Sequence, residues 1–303
     1  MYVSSGLGEQ RLALDIRAWL NHDSEGQLRK TETRTTSMKR TLLTMATILL
    51  IVTSAVAAGP DVPTIVKQMK QGLQGPDNAV RLLNLKVINN GITVTEWKMV
   101  QANGNANGAH WMLTVVLAPP SAKGMAFLDK QTPHDTSTFK YTYLPATKRV
   151  LEFSPVEGYD AFFGTDFTYQ DLGFVALGGG GEKLVGTDTR DGKTVYKLED
   201  HPINSPYYSK VISYVAIDTL LPVQREFYDR ASRLYKTEQC TVETVDGVST
   251  ITKIVMDNVN SGGSSEIDVT KVIPNKQLPA DLFDPKRLRE VADHPFWKTV
   301  TQS

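Results

Sequence analysis

The sequence predicts an α+β protein, mainly antiparallel β, that is built on one sheet of about 10–12 strands. Segments that alternate apolar and polar residues recur from residue 111 to residue 272, without helical periodicity between them. Turn signals such as Asn89-Asn90-Gly91, Asp191-Gly192 and Asp246-Gly247 separate these segments at short intervals. A twisted open sheet of that size tends to curl. Residues 210–217 are apolar on both faces, so we expect the second face of the sheet to be covered by helices or by a ligand.

A short helix is predicted before the strands. Asp61 suits its N-cap and Pro63 its first turn, and Gly72, Gly75 and Pro76 end it. Its apolar stripe consists of Ile65, Val66, Met69 and Leu73. Strands are predicted, in chain order, at residues 111–117, 139–143, 149–153, 193–198, 210–217, 223–228, 233–241, 249–256 and 265–272.

The N-terminal residues have the pattern of a secretory signal peptide at residues 38–57. Met38-Lys39-Arg40 forms a basic head, an apolar run follows, and Ala55-Val56-Ala57 offers small residues for cleavage near Ala58. Residues 1–37 are then an over-long start or a disordered extension. The alternative is that the apolar run is an uncleaved membrane anchor, although it is shorter than the roughly 20 residues that span a bilayer. Residues 58–303 are predicted to form a single domain.

Charge and cysteine content restrict the class of protein. Residues 1–57 hold seven of the 33 basic and five of the 33 acidic residues, which leaves 26 and 28 in the predicted mature chain. This balance gives no argument for binding nucleic acid or an anionic membrane. Cys240 is the only cysteine, so no internal disulfide is possible, and its alternating context predicts a buried strand residue. No cysteine follows the signal for lipid attachment, so we expect a soluble periplasmic protein.

The sequence contains no recognisable catalytic or metal-binding motif. The histidines after the signal, His110, His134, His201 and His294, are scattered and lack metal-ligand spacing. Asp160, Asp166 and Asp171 lack the pattern of a calcium loop and are interpreted as turn and cap residues. The four glycines at residues 178–181 lack the Lys-Ser/Thr and helix of a phosphate loop, and we interpret them as a flexible loop. We therefore predict no enzyme, no catalytic residue, no metal and no cofactor.

Residues 159–172 hold an unusual density of aromatic side chains. Tyr159, Phe162, Phe163, Phe167 and Tyr169 fall within fourteen residues. Aromatic rings in a loop-like region require an apolar partner. Two interpretations remain open: the rings plug the end of the sheet, or they line the mouth of a hydrophobic cavity.

The same stretch resembles a known family. The run from Gly164 to Leu172, Gly-Thr-Asp-Phe-Thr-Tyr-Gln-Asp-Leu, is similar to the Gly-Ser-Asp-Phe-Ser/Thr-Tyr-Glu-Asp-Leu signature of LolA-like outer-membrane lipoprotein-sorting proteins. The hairpin at residues 143–150, the pair at 214–223 and 226–229, and Leu278-Pro279-Ala280-Asp281-Leu282-Phe283 resemble further family elements in the same order. Gln170 and Tyr214 depart from the usual Glu and Trp, and the four-glycine insertion lies where a lid segment would be.

The resemblance implies an unclosed β-barrel whose hydrophobic cavity is covered by short helices. It also implies a monomeric periplasmic carrier that shields the acyl chains of lipids or lipoproteins without a cofactor, with inner- or outer-membrane transport proteins as possible partners. An alternative is a regulatory or exporter-accessory module of the same fold that acts through protein contacts.

The candidate ligand-binding residues come from alternate strand positions and from the aromatic stretch. Because a one-residue slip inverts the faces of a strand, the choice of strand face is a hypothesis. For the cavity we select Leu113, Val115, Leu117, Phe139, Tyr141 and Tyr143, and for its mouth Phe162, Phe163, Phe167 and Tyr169.

Overall fold

The computed structural model describes residues 59–106, 108–131, 139–153, 156–172, 181–202 and 205–301. The proposed signal peptide, residues 1–37 and Gly178-Gly179-Gly180 lie outside these residues. The described chain contains two α-helices and thirteen strands, so the predicted class is confirmed and the strand number exceeds the expected range. The elements are α1 (Val62–Gln74), β1 (Ala79–Asn89), β2 (Ile92–Ala106), β3 (Ala109–Ala118), β4 (Ala126–Gln131), β5 (Phe139–Leu144), β6 (Arg149–Phe153), β7 (Lys183–Arg190), β8 (Lys193–Asp200), β9 (Tyr208–Ala216), β10 (Pro222–Asp229), β11 (Leu234–Val245), β12 (Val248–Asn258), β13 (Gly263–Ile273) and α2 (Phe296–Thr301).

All thirteen strands belong to one antiparallel sheet in the order β6-β5-β4-β3-β2-β1-β13-β12-β11-β10-β9-β8-β7. Two meanders, β1 to β6 and β7 to β13, are joined where β1 pairs with β13. The two edge strands, β6 and β7, follow each other in the chain and do not pair, so the sheet is not closed.

Local chemistry explains α1 and the hairpins. Asp61 caps α1 by accepting a hydrogen bond from Thr64 N at 2.9 Å, and Gly75 ends the helix with φ +86°. Asn90-Gly91, Asp191-Gly192 and Asp246-Gly247 each place two consecutive residues at positive φ. That geometry belongs to the two-residue hairpin turns that match strand twist, and Asn-Gly and Asp-Gly favour it.

The sheet curls around residues 156–172, which we call the aromatic segment. β4 and β9 are separated by seven strands, which corresponds to about 38 Å across a flat sheet. The ring centres of Tyr169 and Phe127 of β4 are nevertheless 4.7 Å apart, and those of Tyr159 and Tyr208 of β9 are 6.0 Å apart. Tyr169 N donates to Asp160 O, so the two ends of the segment are adjacent. The face that contacts this segment is therefore concave.

Different parts of the chain cover the two faces. On the concave face, α1 packs Ile65 and Met69 against Leu198 and Val215, beside the aromatic segment. On the convex face, the C-terminal segment, residues 279–301, buries Leu282, Phe283, Leu288, Val291, Trp297 and Val300 against β1 to β5. Both covers are apolar, as the double-sided strands predicted. Neither helix in the part of the chain that the structure describes has the length and apolar character of a membrane span.

Candidate functional site

The predicted site residues lie on opposite faces of the sheet. Phe162, Phe163, Phe167 and Tyr169 pack on the concave face, where the aromatic segment meets the strands. Leu113, Val115, Leu117, Tyr141 and Tyr143 pack on the convex face, beneath the C-terminal segment. Phe139 belongs to β5, and its side chain lies outside the described residues.

In β3 the residues that face the aromatic segment are one position away from those selected, and β4, which was not predicted, contributes a further one. Met112 and Val116 of β3 and Phe127 of β4 belong to the concave cluster. Because side chains alternate along a strand, this single step moves a whole set of residues to the other face. These three residues are the strand positions that face the aromatic segment, and ligand binding by the selected residues stays a prediction.

The rings of the aromatic segment form one continuous contact. The ring centre of Phe162 lies 5.2 Å from that of Tyr169 and 4.5 Å from that of Phe163. The ring centres of Phe163 and Trp97 of β2 are 5.8 Å apart. Phe163 holds φ +49° and ψ +32°, a left-handed conformation that is rare for an aromatic residue. Surrounding contacts therefore impose a strained backbone at the position nearest Trp97.

The aromatic segment is attached to the sheet at Asp166. Ser265 of β13 donates to Asp166 Oδ2 at 2.8 Å and accepts from Asp166 N at 2.9 Å. Asn258 of β12 donates to the other carboxylate oxygen at 3.2 Å, and Lys236 Nζ donates to the Asp166 carbonyl. Thus Asp166 does more than form a turn.

Asp171 is a second and more deeply buried attachment. Its carboxylate accepts from Tyr208 OH at 3.0 Å and lies 3.7 Å from Lys236 Nζ. It also accepts from Thr168 N, which is the local cap role expected from sequence. Burial, followed by the Asp171 charge, raises the pKa of Tyr208 well above its ordinary value, so this phenol stays protonated. The pairing to Tyr208 and Lys236 could not be found by spacing, since both partners lie far along the chain.

A buried ion pair supports the Asp171 attachment. Arg225 of β10 donates to Glu238 of β11 at 2.7 and 2.6 Å and to the Asp171 carbonyl. Burial lowers the pKa of Arg225, but the Glu238 carboxylate outweighs it and leaves the pKa raised. The neighbouring Cys240 thiol donates to Glu238 at 3.4 Å, and burial raises its pKa, so it is not a reactive thiolate.

A small cavity remains between the aromatic segment and the sheet. Its volume is about 20 Å³, enough for about one water molecule. Phe162 and Leu172 line it from the aromatic segment, and Leu83, Met99, Ile254 and Ile267 line it from the strands. Around Phe162 and Leu172 the concave face is thus mainly apolar and already filled by the protein's own side chains.

One end of this cavity is polar. Arg81 of β1 donates through Nε to Gln101 Oε1 at 2.8 Å and through Nη2 to the Leu73 carbonyl at 2.9 Å. Gln101 donates to Thr114 Oγ1 at 3.2 Å, and all three side chains line the cavity. Burial lowers the pKa of Arg81 to about 10, which leaves it cationic at neutral pH. Our sequence reading missed Arg81 because β1 was not predicted, although the Asn90-Gly91 turn was a signal for a strand before it.

A second polar cluster lies on the concave face of β3 to β5. Asp129 is fully buried opposite Lys140, its partner in the β4–β5 register, and accepts from Gln131. Burial raises the pKa of Asp129 to about 6, although Lys140 opposes the shift. At the edge of this cluster, His110 Nδ1 lies 3.3 Å from Asp77. Within the described residues, no three His, Cys, Asp or Glu side chains are placed to hold a metal ion.

Comparison with protein-family models identifies the family of this chain. A family model whose description reads "-like: Uncharacterized protein" matches residues 108–290, more than half of the chain. The chain belongs to this family. No curated protein matches its sequence.

Solved structures share its fold. A protein described as an outer membrane lipoprotein-sorting domain from Vibrio parahaemolyticus is 23% identical, with 74% of this chain and 97% of that chain covered and a TM-score of 0.63. A DUF1329 family protein from Desulfovibrio piger is 22% identical, with 74% and 96% covered and a TM-score of 0.63. A LolA superfamily protein from Nitrosomonas europaea is 18% identical, with 75% and 98% covered and a TM-score of 0.58. The resemblance to LolA-like proteins seen in the sequence is confirmed at the level of the fold.

Proposed function

We propose that this protein is a periplasmic carrier that shields acyl chains against the concave face of its sheet. The observation that supports it is the apolar part of the concave face, which is covered by the aromatic segment, a stretch outside the thirteen strands. The lipoprotein-sorting description of a protein with the same fold agrees with this cargo. Lipidated protein and free lipid both supply suitable chains.

The energetics favour reversible loading. Each methylene that leaves water contributes about 0.8 kcal/mol, so a long acyl chain gains a large stabilisation in an apolar groove. The chain would replace rings such as Phe162 and Phe167, which are at most 1% exposed and would move to a new position. The free-energy cost of withdrawing these rings offsets part of the free energy gained by burying the acyl chain. Because the net free energy of binding is then small, the cargo can be released at a membrane.

The fluorescence of Trp97 can report acyl-chain binding at the concave face, because Trp97 contacts Phe163 of the aromatic segment. Bromine atoms on an acyl chain quench tryptophan fluorescence at short range. We expect a brominated fatty acid to quench the fluorescence of the full chain in a saturable manner, and an unbrominated acid of the same length to leave it unquenched.

Two variants locate the quenched residue. Trp97→Phe should abolish most of the quenching, whereas Trp297→Phe, which alters the C-terminal segment on the convex face, should retain it. Saturable quenching that survives Trp97→Phe would place the chain elsewhere, and no binding of any acyl probe would rule out the carrier function.

A further inference from the structure

Arg81 is a buried cation without an anionic partner among the residues that the structure describes. It is only 4% exposed, and its hydrogen bonds go to the neutral Gln101 side chain and the Leu73 carbonyl. The Leu73 carbonyl lies in the last turn of α1, whose partial negative charge compensates only part of a full positive charge. Burying a charge without a counter-ion is costly, so this arrangement requires an explanation.

Arg225 is a second buried arginine of this sheet, and unlike Arg81 it has a carboxylate partner. It is 1% exposed and is paired with Glu238 by two hydrogen bonds. Arg81 lies on the same concave face at a similar depth without such a carboxylate. Its Nη1 group donates no hydrogen bond to any described residue, so two of its five N–H donors remain available.

The position of Arg81 connects this donor to the proposed acyl groove. Arg81, Gln101 and Thr114 form the polar end of the 20 Å³ cavity, and apolar strand residues form the remainder. Phe162 and Leu172 close the cavity from the aromatic segment. Withdrawal of the aromatic segment would therefore join the Arg81 site to the apolar concave face.

We propose that Arg81 is the head-group site of the carrier and selects amphiphiles that bear a carboxylate or phosphate at the end of an acyl chain. The guanidinium forms paired hydrogen bonds with either anion, and these are stronger than bonds to neutral groups. An acyl chain attached to a neutral group would fill the apolar groove without using Arg81. The inference rests on the proposed carrier function and specifies its ligand.

The test compares three ligands with the same eighteen-carbon chain type: oleate, 1-oleoyl lysophosphatidate and oleyl alcohol. Calorimetric titration of the full chain at pH 8, below the micellar concentration of each ligand, measures their affinities. We expect at least one anion to bind roughly 10–100-fold more tightly than the alcohol, the range expected for charge-assisted hydrogen bonds. Tighter binding of oleate indicates a free fatty acid, and tighter binding of lysophosphatidate indicates a phospholipid head group.

Variants then assign the preference to Arg81. Arg81→Gln should lower the affinity for the anion to that for the alcohol and leave the alcohol affinity within about twofold. Arg81→Lys should retain part of the preference. Arg287→Gln, which removes an exposed arginine of the C-terminal segment, should retain all of it.

The outcomes separate the two proposals. Equal affinities for anions and alcohol in the unaltered chain would overturn the head-group site while leaving the carrier function intact, and this comparison does not depend on a variant that folds. Equal loss of all three affinities in Arg81→Gln would show that the guanidinium only supports the groove, and would also overturn the inference. No binding of any of the three would overturn both proposals.

Discussion

At the scale of single residues, the charged side chains inside the sheet differ in how they are compensated. Arg225 and Glu238 neutralise each other and hold the Asp171 carbonyl. Asp129 lies opposite Lys140 in the register, and burial raises its pKa to about 6. Among the described residues, the hydrogen-bond acceptors of Arg81 are all neutral. The Arg225–Glu238 pair thus helps to hold the aromatic segment, and Arg81 is the residue that we propose as a head-group site.

Asp129 should make stability depend on pH. Its folded-state pKa is about 6 and its ordinary value is 3.8, so between these values the folded protein binds more protons than the unfolded chain. Its contribution to the free energy of unfolding therefore falls as pH rises through this window, by roughly 2 kcal/mol between pH 4 and pH 7. Burial sets this upward shift of the pKa, and Lys140 of β5, Gln131 of β4 and Lys70 of α1 oppose it.

Urea unfolding of the native chain and of Asp129→Asn at pH 4, 5, 6 and 7 measures this effect. The free energy of the native chain minus that of the variant should decrease across the series. Burial also raises the pKa of Asp200 to about 6. Because Asp200 is present in both proteins, its contribution to the free energy of unfolding cancels in the difference. A difference that stays constant with pH would contradict the assignment.

At the scale of elements, the aromatic segment differs from the strands that surround it. The strands are held by regular backbone hydrogen bonds to one or two neighbouring strands, whereas this segment is hydrogen-bonded to the sheet mainly through side chains at Asp166 and Asp171. Two short 3₁₀ turns, Val156–Tyr159 and Phe162–Gly164, are its regular structure. Removal of a few polar contacts should therefore loosen it without unfolding the sheet.

Ser265→Ala tests this attachment by removing both hydrogen bonds between Ser265 and Asp166. The loss of one to two kcal/mol should raise hydrogen-exchange rates of aromatic-segment amides, such as those of Phe162 and Thr165, by roughly 5–30-fold. Exchange in β3 should stay unchanged. Ser264→Ala alters the adjacent residue, which points to the other face of β13, and should leave the segment as it is. Uniform acceleration across the protein would argue against a locally held cover.

At the scale of the whole molecule, the two faces of the sheet have separable roles. The C-terminal segment covers the convex face of β1 to β5, where Phe283 stacks on Trp111 with ring centres 6.3 Å apart. The concave face is covered by α1 and the aromatic segment. We interpret the convex layer as the permanent core and the concave layer as the one that exchanges with cargo.

A pair of buried phenylalanines distinguishes these layers. Phe283→Ala and Phe162→Ala remove rings that are 3% and 1% exposed, and each should cost about 3–5 kcal/mol of unfolding free energy. Only Phe162→Ala should change the affinity for an acyl probe, measured at a temperature where both variants remain folded. An equal change in affinity for both variants would show that the faces are coupled.

The sequence by itself determined the local features of this protein. The Asp61 cap, the Asn-Gly and Asp-Gly turns and the alternating strands depend on residues a few positions apart, so their pattern is visible in one sequence. The strands that were missed are β1, β2, β4 and β7. In β1 the charged Arg81 stands among the buried residues, and the mostly exposed β7 resembles a polar loop.

Only the tertiary structure decided which face of each strand turns inward and which charges meet. β1 pairs with β13 from the far end of the chain, and that pairing joins the two meanders into one curled sheet. Residues 113 and 115 then face the C-terminal segment, while Met112 and Arg81 lie on the concave face. A periodicity of two marks both faces of a strand equally, and the long-range packing that distinguishes them leaves no local pattern in the sequence.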